Sequence, residues 1–153
     1  MITKINDRVW IYSTLHKRYY RLAAGITQMK ESYRNTILET PNLQSGFCGQ
    51  EILYKTGQLE FEGYRISDLA MDTLIGMNLK QGSDAKITLV ITNRTDLFAP
   101  GSNYCYGFKI EGVVSFENPG SGAAPIGSPI KGKILYTKTP ERVLFDETTQ
   151  TFV

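Results

Sequence analysis

Histidine is nearly missing from this chain, in which His16 stands alone. One imidazole cannot build a multi-histidine metal centre, and no matching motif surrounds it to complete a serine triad. Only two cysteines occur, Cys48 and Cys105, far apart and in no metal-ligand pattern; a reduced, cytosolic state is the expectation. The glycines form neither a GxGxxG nor a Walker-type loop, so no phosphate cradle is written in the sequence. No apolar run reaches the length that spans a bilayer, and the first ten residues lack the apolar stretch of a secretory signal. Without that signal, the sequon Asn93-Arg94-Thr95 reads as chance. Charge of one sign is also missing. Lysine plus arginine (17) barely exceeds aspartate plus glutamate (15), a net +2, which argues against an obligate nucleic-acid binder.

What is present is strand pattern. With 153 residues and a 41% hydrophobic share, the chain suits one domain, 1–153, able to bury a core without staples. In 58–64, Leu59 and Phe61 alternate with Gln58, Glu60 and Glu62, the pattern of a strand with one wet face. Ile87, Leu89 and Ile91 repeat it in 86–92. In 104–116, Tyr104, Tyr106, Phe108, Ile110, Val114 and Phe116 oppose Cys105, Gly107, Lys109, Glu111, Val113 and Ser115. In 130–136, Ile130, Ile134 and Tyr136 oppose Lys131, Lys133 and Leu135. The small-residue stretch 118–127 between these last two predicts a hairpin with a long tip. Shorter strands are expected at 9–13, 19–23 and 142–146, and Gly107, Gly112 and Gly132 fall inside strands.

One helix is expected over about 66–77, with Ser67 as N-cap and Ile66, Leu69, Ala70, Thr73, Leu74 and Met77 as its apolar stripe. A weaker helix candidate covers 27–33. The stretch of about 29–56 lacks periodicity and reads as a long irregular loop. Its scattered apolar residues, Tyr33, Ile37, Leu43, Phe47 and Ile52 among them, suit a contact surface, with a core-packed loop as the alternative. The fold class is therefore mainly β: a small antiparallel sandwich or barrel with one flanking helix.

The catalytic options are thin. Glu60 and Glu62 share a strand face, but nothing supplies the cleft that paired glycosidase carboxylates need. The run His16-Lys17-Arg18-Tyr19-Tyr20-Arg21 could contact phosphates and bases, yet a basic turn entering a strand explains it more simply. Asp146 and Glu147 read as a solvated tail. No enzyme and no cofactor are expected. Lys109, Glu111, Lys131 and Lys133 give the 104–116 and 130–136 hairpin a charged face, which could line an aqueous channel in an assembly or, more simply, be the wet side of a sandwich.

In order and pattern these elements resemble the tail tube proteins of contractile-tailed bacteriophages. The likeness runs from an early strand pair through 25–34 and a long loop. It continues through the strand Gln58-Leu-Glu-Phe-Glu-Gly-Tyr64, the 66–77 helix, the 84–93 strand, the 104–117 and 128–137 hairpin, and the closing Glu141-Arg-Val-Leu-Phe-Asp146. The resemblance implies hexameric rings that stack into a hollow tube conducting DNA, as in related type VI secretion tubes. It implies a virion location after assembly in the host cytoplasm. Its partners would be further copies of the chain and the sheath, baseplate and tail terminator proteins, with DNA in passing and no membrane. Tyr33, Ile37, Leu43, Phe47 and Ile52 would touch between rings, and Lys109, Glu111, Lys131 and Lys133 would face the lumen. Lumens of this family are often acidic, whereas lysine outnumbers glutamate here; Glu60 and Glu62 are the other lining candidates. The rival readings are a tail terminator, a secretion-type tube protein and a monomeric ligand-binding β module.

Overall fold

The computed structural model describes residues 7–41, 46, 48–78, 86–118 and 125–152. Its strands are β1 (Asp7–Ser13), β2 (Arg18–Leu22), β3 (Ile26–Pro41), β4 (Cys48–Tyr64), β5 (Lys86–Leu97), β6 (Tyr104–Asn118), β7 (Pro129–Tyr136), β8 (Glu141–Asp146) and β9 (Thr151–Phe152). One helix, α1 (Leu69–Asn78), lies between β4 and β5. All pairings are antiparallel, in the order β2-β1-β5-β6-β7-β4-β3. The sheet forks at β6, whose first half also pairs β8, while its second half pairs β7. The mainly β, one-helix class expected from the sequence is what the chain adopts. Residues 119–124 of the expected hairpin tip lie outside the described residues.

The principal core shows how the sheet folds over. Val9, Ile11 and Leu22, from one end of the strand order, share a buried cluster with Leu59, Phe61, Ile130 and Ile134 from the other. Strands so far apart in a flat sheet cannot touch, so the two halves face one another as a sandwich that does not close. Helix α1 joins this cluster through Ala70, Met71, Leu74 and Ile75. Each fully buried aliphatic or aromatic side chain here contributes about 1.5–3 kcal/mol of transfer free energy.

The helix differs in detail from its sequence expectation. It starts after Asp68, whose carbonyl accepts the first helical bond from the Asp72 N–H at 2.9 Å, so Ser67 does not cap it. Its buried stripe is Ala70, Met71, Leu74 and Ile75, and Leu69 is 46% exposed. A segment apolar on most sides has a weak period, and tertiary packing chose the stripe.

A second core occupies the opposite face of β1 and β5. Trp10, Tyr19, Val90 and Phe145 are buried together, with Tyr12 and Val143 packed on them. Hence both faces of these strands are covered, one by α1 and β4–β7 and the other by β8–β9. The β9 end curls back to β2: the Tyr19 and Phe152 rings lie 5.6 Å apart, and Arg18 donates to Gln150 Oε1 at 2.7 Å. Glu147 does not behave as solvated tail. Its carboxylate accepts from Arg8 at 3.4 Å, from Thr92 at 3.3 Å and from the buried Cys105 thiol at 3.3 Å. Trp10 Nε1 in turn donates to Thr92 Oγ1 at 3.2 Å. The glutamate thus fixes the start of the β8–β9 turn to the buried strands.

At the β2–β3 corner the backbones nearly touch. Gly25 takes φ +78°, and a Cβ on Gly63 would collide with the Gly25 carbonyl oxygen and with Ile26 Cα at 2.9 Å. Because the obstacle is backbone, no rotamer relieves it. Gly63→Ala should therefore lower stability by about 2 kcal/mol or more, seen as a lower midpoint in thermal melts.

Candidate assembly surface

The 29–56 stretch, expected as an irregular loop, is a long β-hairpin instead. β3 and β4 pair from Ile26↔Gly63 out to Pro41↔Cys48, with bulges at 26/28 and 36/37. The helix candidate at 27–33 is likewise strand. β4 joins β7 only over 58–64, so the outer part of the hairpin leaves the sheet as a two-stranded arm. Period-two patterning arises when one face is buried. Neither face of the arm is, which is why its strands are unreadable in the sequence.

The arm presents large apolar side chains to solvent. Tyr33, Ile37 and Ile52, named from the sequence, are 55%, 54% and 53% exposed. Leu43 and Phe47 lie outside the described residues. Leu38 and Leu53, also among the scattered apolar residues of this stretch, are exposed as well, and the structure adds the exposed Tyr54, which sequence reasoning passed over. Ile37 stands directly opposite Ile52. An isolated two-stranded ribbon is marginal in water, and one such cross-strand pair contributes only about 0.2–1 kcal/mol. β3 also ends the strand order, so its outer edge offers unpaired backbone groups to another chain.

The arm is anchored at its root. Gly57 sits between the rings of Tyr33 and Tyr136, where a Cβ would come within 2.5 Å of the Tyr136 ring and 2.8 Å of the Tyr33 ring. The Tyr136 hydroxyl donates to Glu31 at 2.5 Å. Burial first, and then this bond, hold the Tyr136 pKa far above the ordinary phenol range. Burial, with the neighbouring Glu31, pushes Tyr33 up to about 12. In the second core, burial and then Tyr12 push Tyr19 from 10.0 to about 12. A raised folded pKa means that the stability these phenols confer is complete below pH 10 and is lost as pH climbs toward 12. Melting temperature should fall across that window. Tyr19→Phe should make the fall shallower than in the parent chain, because it removes one ionising group.

The charged candidates separate into two places. Lys131 and Lys133 lie on a polar face with Glu60 and Glu62, in cross-strand rows Lys30–Glu60–Lys133–Ser115 and Gln28–Glu62–Lys131–Asn118. The lysine lining and the glutamate lining considered from the sequence are therefore one surface of alternating sign. Lys131 Nζ also lies 4.0 Å from Glu117. Lys109 and Glu111 are not part of it. The Lys109 ammonium sits 5.3 Å over the Phe152 ring, and Glu111 pairs with Lys138 at 3.1 Å, which lowers its pKa. Among the described residues no group of three or more acidic, histidine or cysteine side chains is placed to hold a metal, and no helix is long and apolar enough to cross a membrane.

Taken together, these features define a β protein with a folded-over antiparallel sheet and a projecting arm of exposed apolar side chains. No family model matches the sequence, and no curated protein matches it. Eight chains of solved structures do match. One of them, from the structure described as "Virion of native gene transfer agent (GTA) particle", superposes with a TM-score of 0.58 at 8% identity. The match covers 93% of this chain and 98% of that one. At that identity the likeness is one of fold.

Proposed function

We propose that this chain is a virion structural protein whose copies close into hexameric rings, and that the rings stack into the hollow tail tube that conducts DNA. The observation that carries this reading is the arm, whose large apolar Ile37, Ile52, Leu53 and Tyr54 are each left more than half exposed. A soluble protein keeps such a patch for contact with another surface. The fold likeness to a chain of a gene transfer agent particle supports a virion role, and its near-complete mutual coverage suits a subunit of the same plan. In this reading the alternating face of Lys30, Glu60, Glu62, Lys131 and Lys133 lines the tube, its near-balance of charge leaving passing DNA weakly held. The protein acts by assembly and not by catalysis, and needs no cofactor. Its partners are further copies and the sheath, baseplate and terminator proteins of the tail, and it resides in the virion after assembly in the host cytoplasm.

Sedimentation velocity over a concentration series tests this. A species near six times the 17.2 kDa chain mass, growing into larger multiples, is the expected result. A single monomer boundary at every concentration would sink the reading.

A further inference from the structure

A cleft of about 410 Å³ opens between the β1–β2 turn and the β8–β9 turn. Its polar rim carries Lys17, Arg18 and Lys109, its walls are Tyr12, Tyr19 and Phe152, and among the described residues no carboxylate lines it. Arg18 is held by Gln150 at 2.7 Å and lies 5.2 Å over the Tyr20 ring; Lys109 is poised over Phe152. The carboxylate opposite Lys109 across β6–β8, Glu141, is exposed and outside the lining. Three cations over an aromatic floor suit an occupant both acidic and apolar.

The chain itself contains such a segment. Residues 37–53 carry Glu39 and Glu51 and no lysine or arginine. Beside those carboxylates stand the exposed Ile37, Leu38, Ile52 and Leu53. The arm does not fill its own cleft, since its side chains are exposed and the cleft is open. We infer that the outer arm of one copy seats in the β1–β2/β8–β9 cleft of the next through the face that carries Ile37, Glu39 and Ile52, with Glu39 meeting Lys17, Arg18 and Lys109 and the two isoleucines meeting Tyr12 and Phe152. Arm and cleft are different patches of one molecule, so the contact is head-to-tail, the type that closes into rings or runs on as filaments. This inference rests on the self-assembly proposed above and names the two surfaces that meet.

Charge reversal tests it. Glu39→Arg alone and Arg18→Glu alone should each weaken association by about tenfold or more at low salt, and the two together in one chain should return it to within about threefold of the parent. Both positions are exposed, and melting curves on dilute protein check that each variant folds; Lys17→Glu replaces Arg18→Glu should that one not fold. Single reversals without effect, or a double variant as weak as its parents, overturn the inference while leaving self-assembly intact. A parent chain that never associates overturns both.

Discussion

Replacing Ile37 and Ile52 together by aspartate is expected to abolish self-association while leaving the fold unchanged. The two side chains face each other across the arm and are each about half exposed, so neither supports the core, and surface changes of this kind usually move stability by no more than about 0.5 kcal/mol. At an interface the arithmetic is different. Losing the apolar burial of both isoleucines costs about 1 kcal/mol each, and placing two carboxylates in the contact adds a desolvation penalty of similar size or more. The sum, about 3 kcal/mol or more, corresponds to over a hundredfold in affinity. Light scattering at matched concentrations reads association, and thermal melting reads the fold. Undiminished assembly in the double variant would remove the arm from the account.

Phe145→Ala should have the largest effect on stability. Phe145 is fully buried in the second core, its ring centroid 5.5 Å from Trp10, 5.4 Å from Tyr19 and 5.6 Å from Phe152. It is the side chain through which β8 grips the outer face of β1 and β2. Truncating a buried phenylalanine to alanine costs about 3–5 kcal/mol, a large share of the roughly 5–15 kcal/mol that holds a domain folded. A fall of about 10 °C in melting temperature is expected. Phe152, 40% exposed, should cost far less when truncated. Equal effects at the two positions would mean that β8–β9 is not anchored as described.

These two sites also show where the sequence was legible. Wherever a strand has one face in the main core, as with Leu59 and Phe61 or Ile130 and Ile134, alternation found its core-facing residues, while β4 and β5 run on beyond the alternating stretch to Cys48 and Leu97. The second core was hidden because Val90, which packs there with Trp10, sits on the face that alternation marks as wet. That face is buried only because a hairpin distant in sequence, β8–β9, folds over it. For the same reason Glu147, with partners on β1, β5 and β6, could not be told from a tail residue. The arm failed in the opposite sense, both its faces being solvated. Its scattered large apolar residues could still be read as a candidate contact surface, but its geometry could not. The polar face was half legible: Lys131 with Lys133 and Glu60 with Glu62 were each visible, while their meeting across β4 and β7 is a matter of register.

Negative-stain electron microscopy of the purified chain at high concentration tests the central claim most directly. The account predicts rings of six subunits with a stain-filled hole, and short hollow tubes where they stack. A field of compact monomers, at a concentration where sedimentation also shows no association, would contradict it.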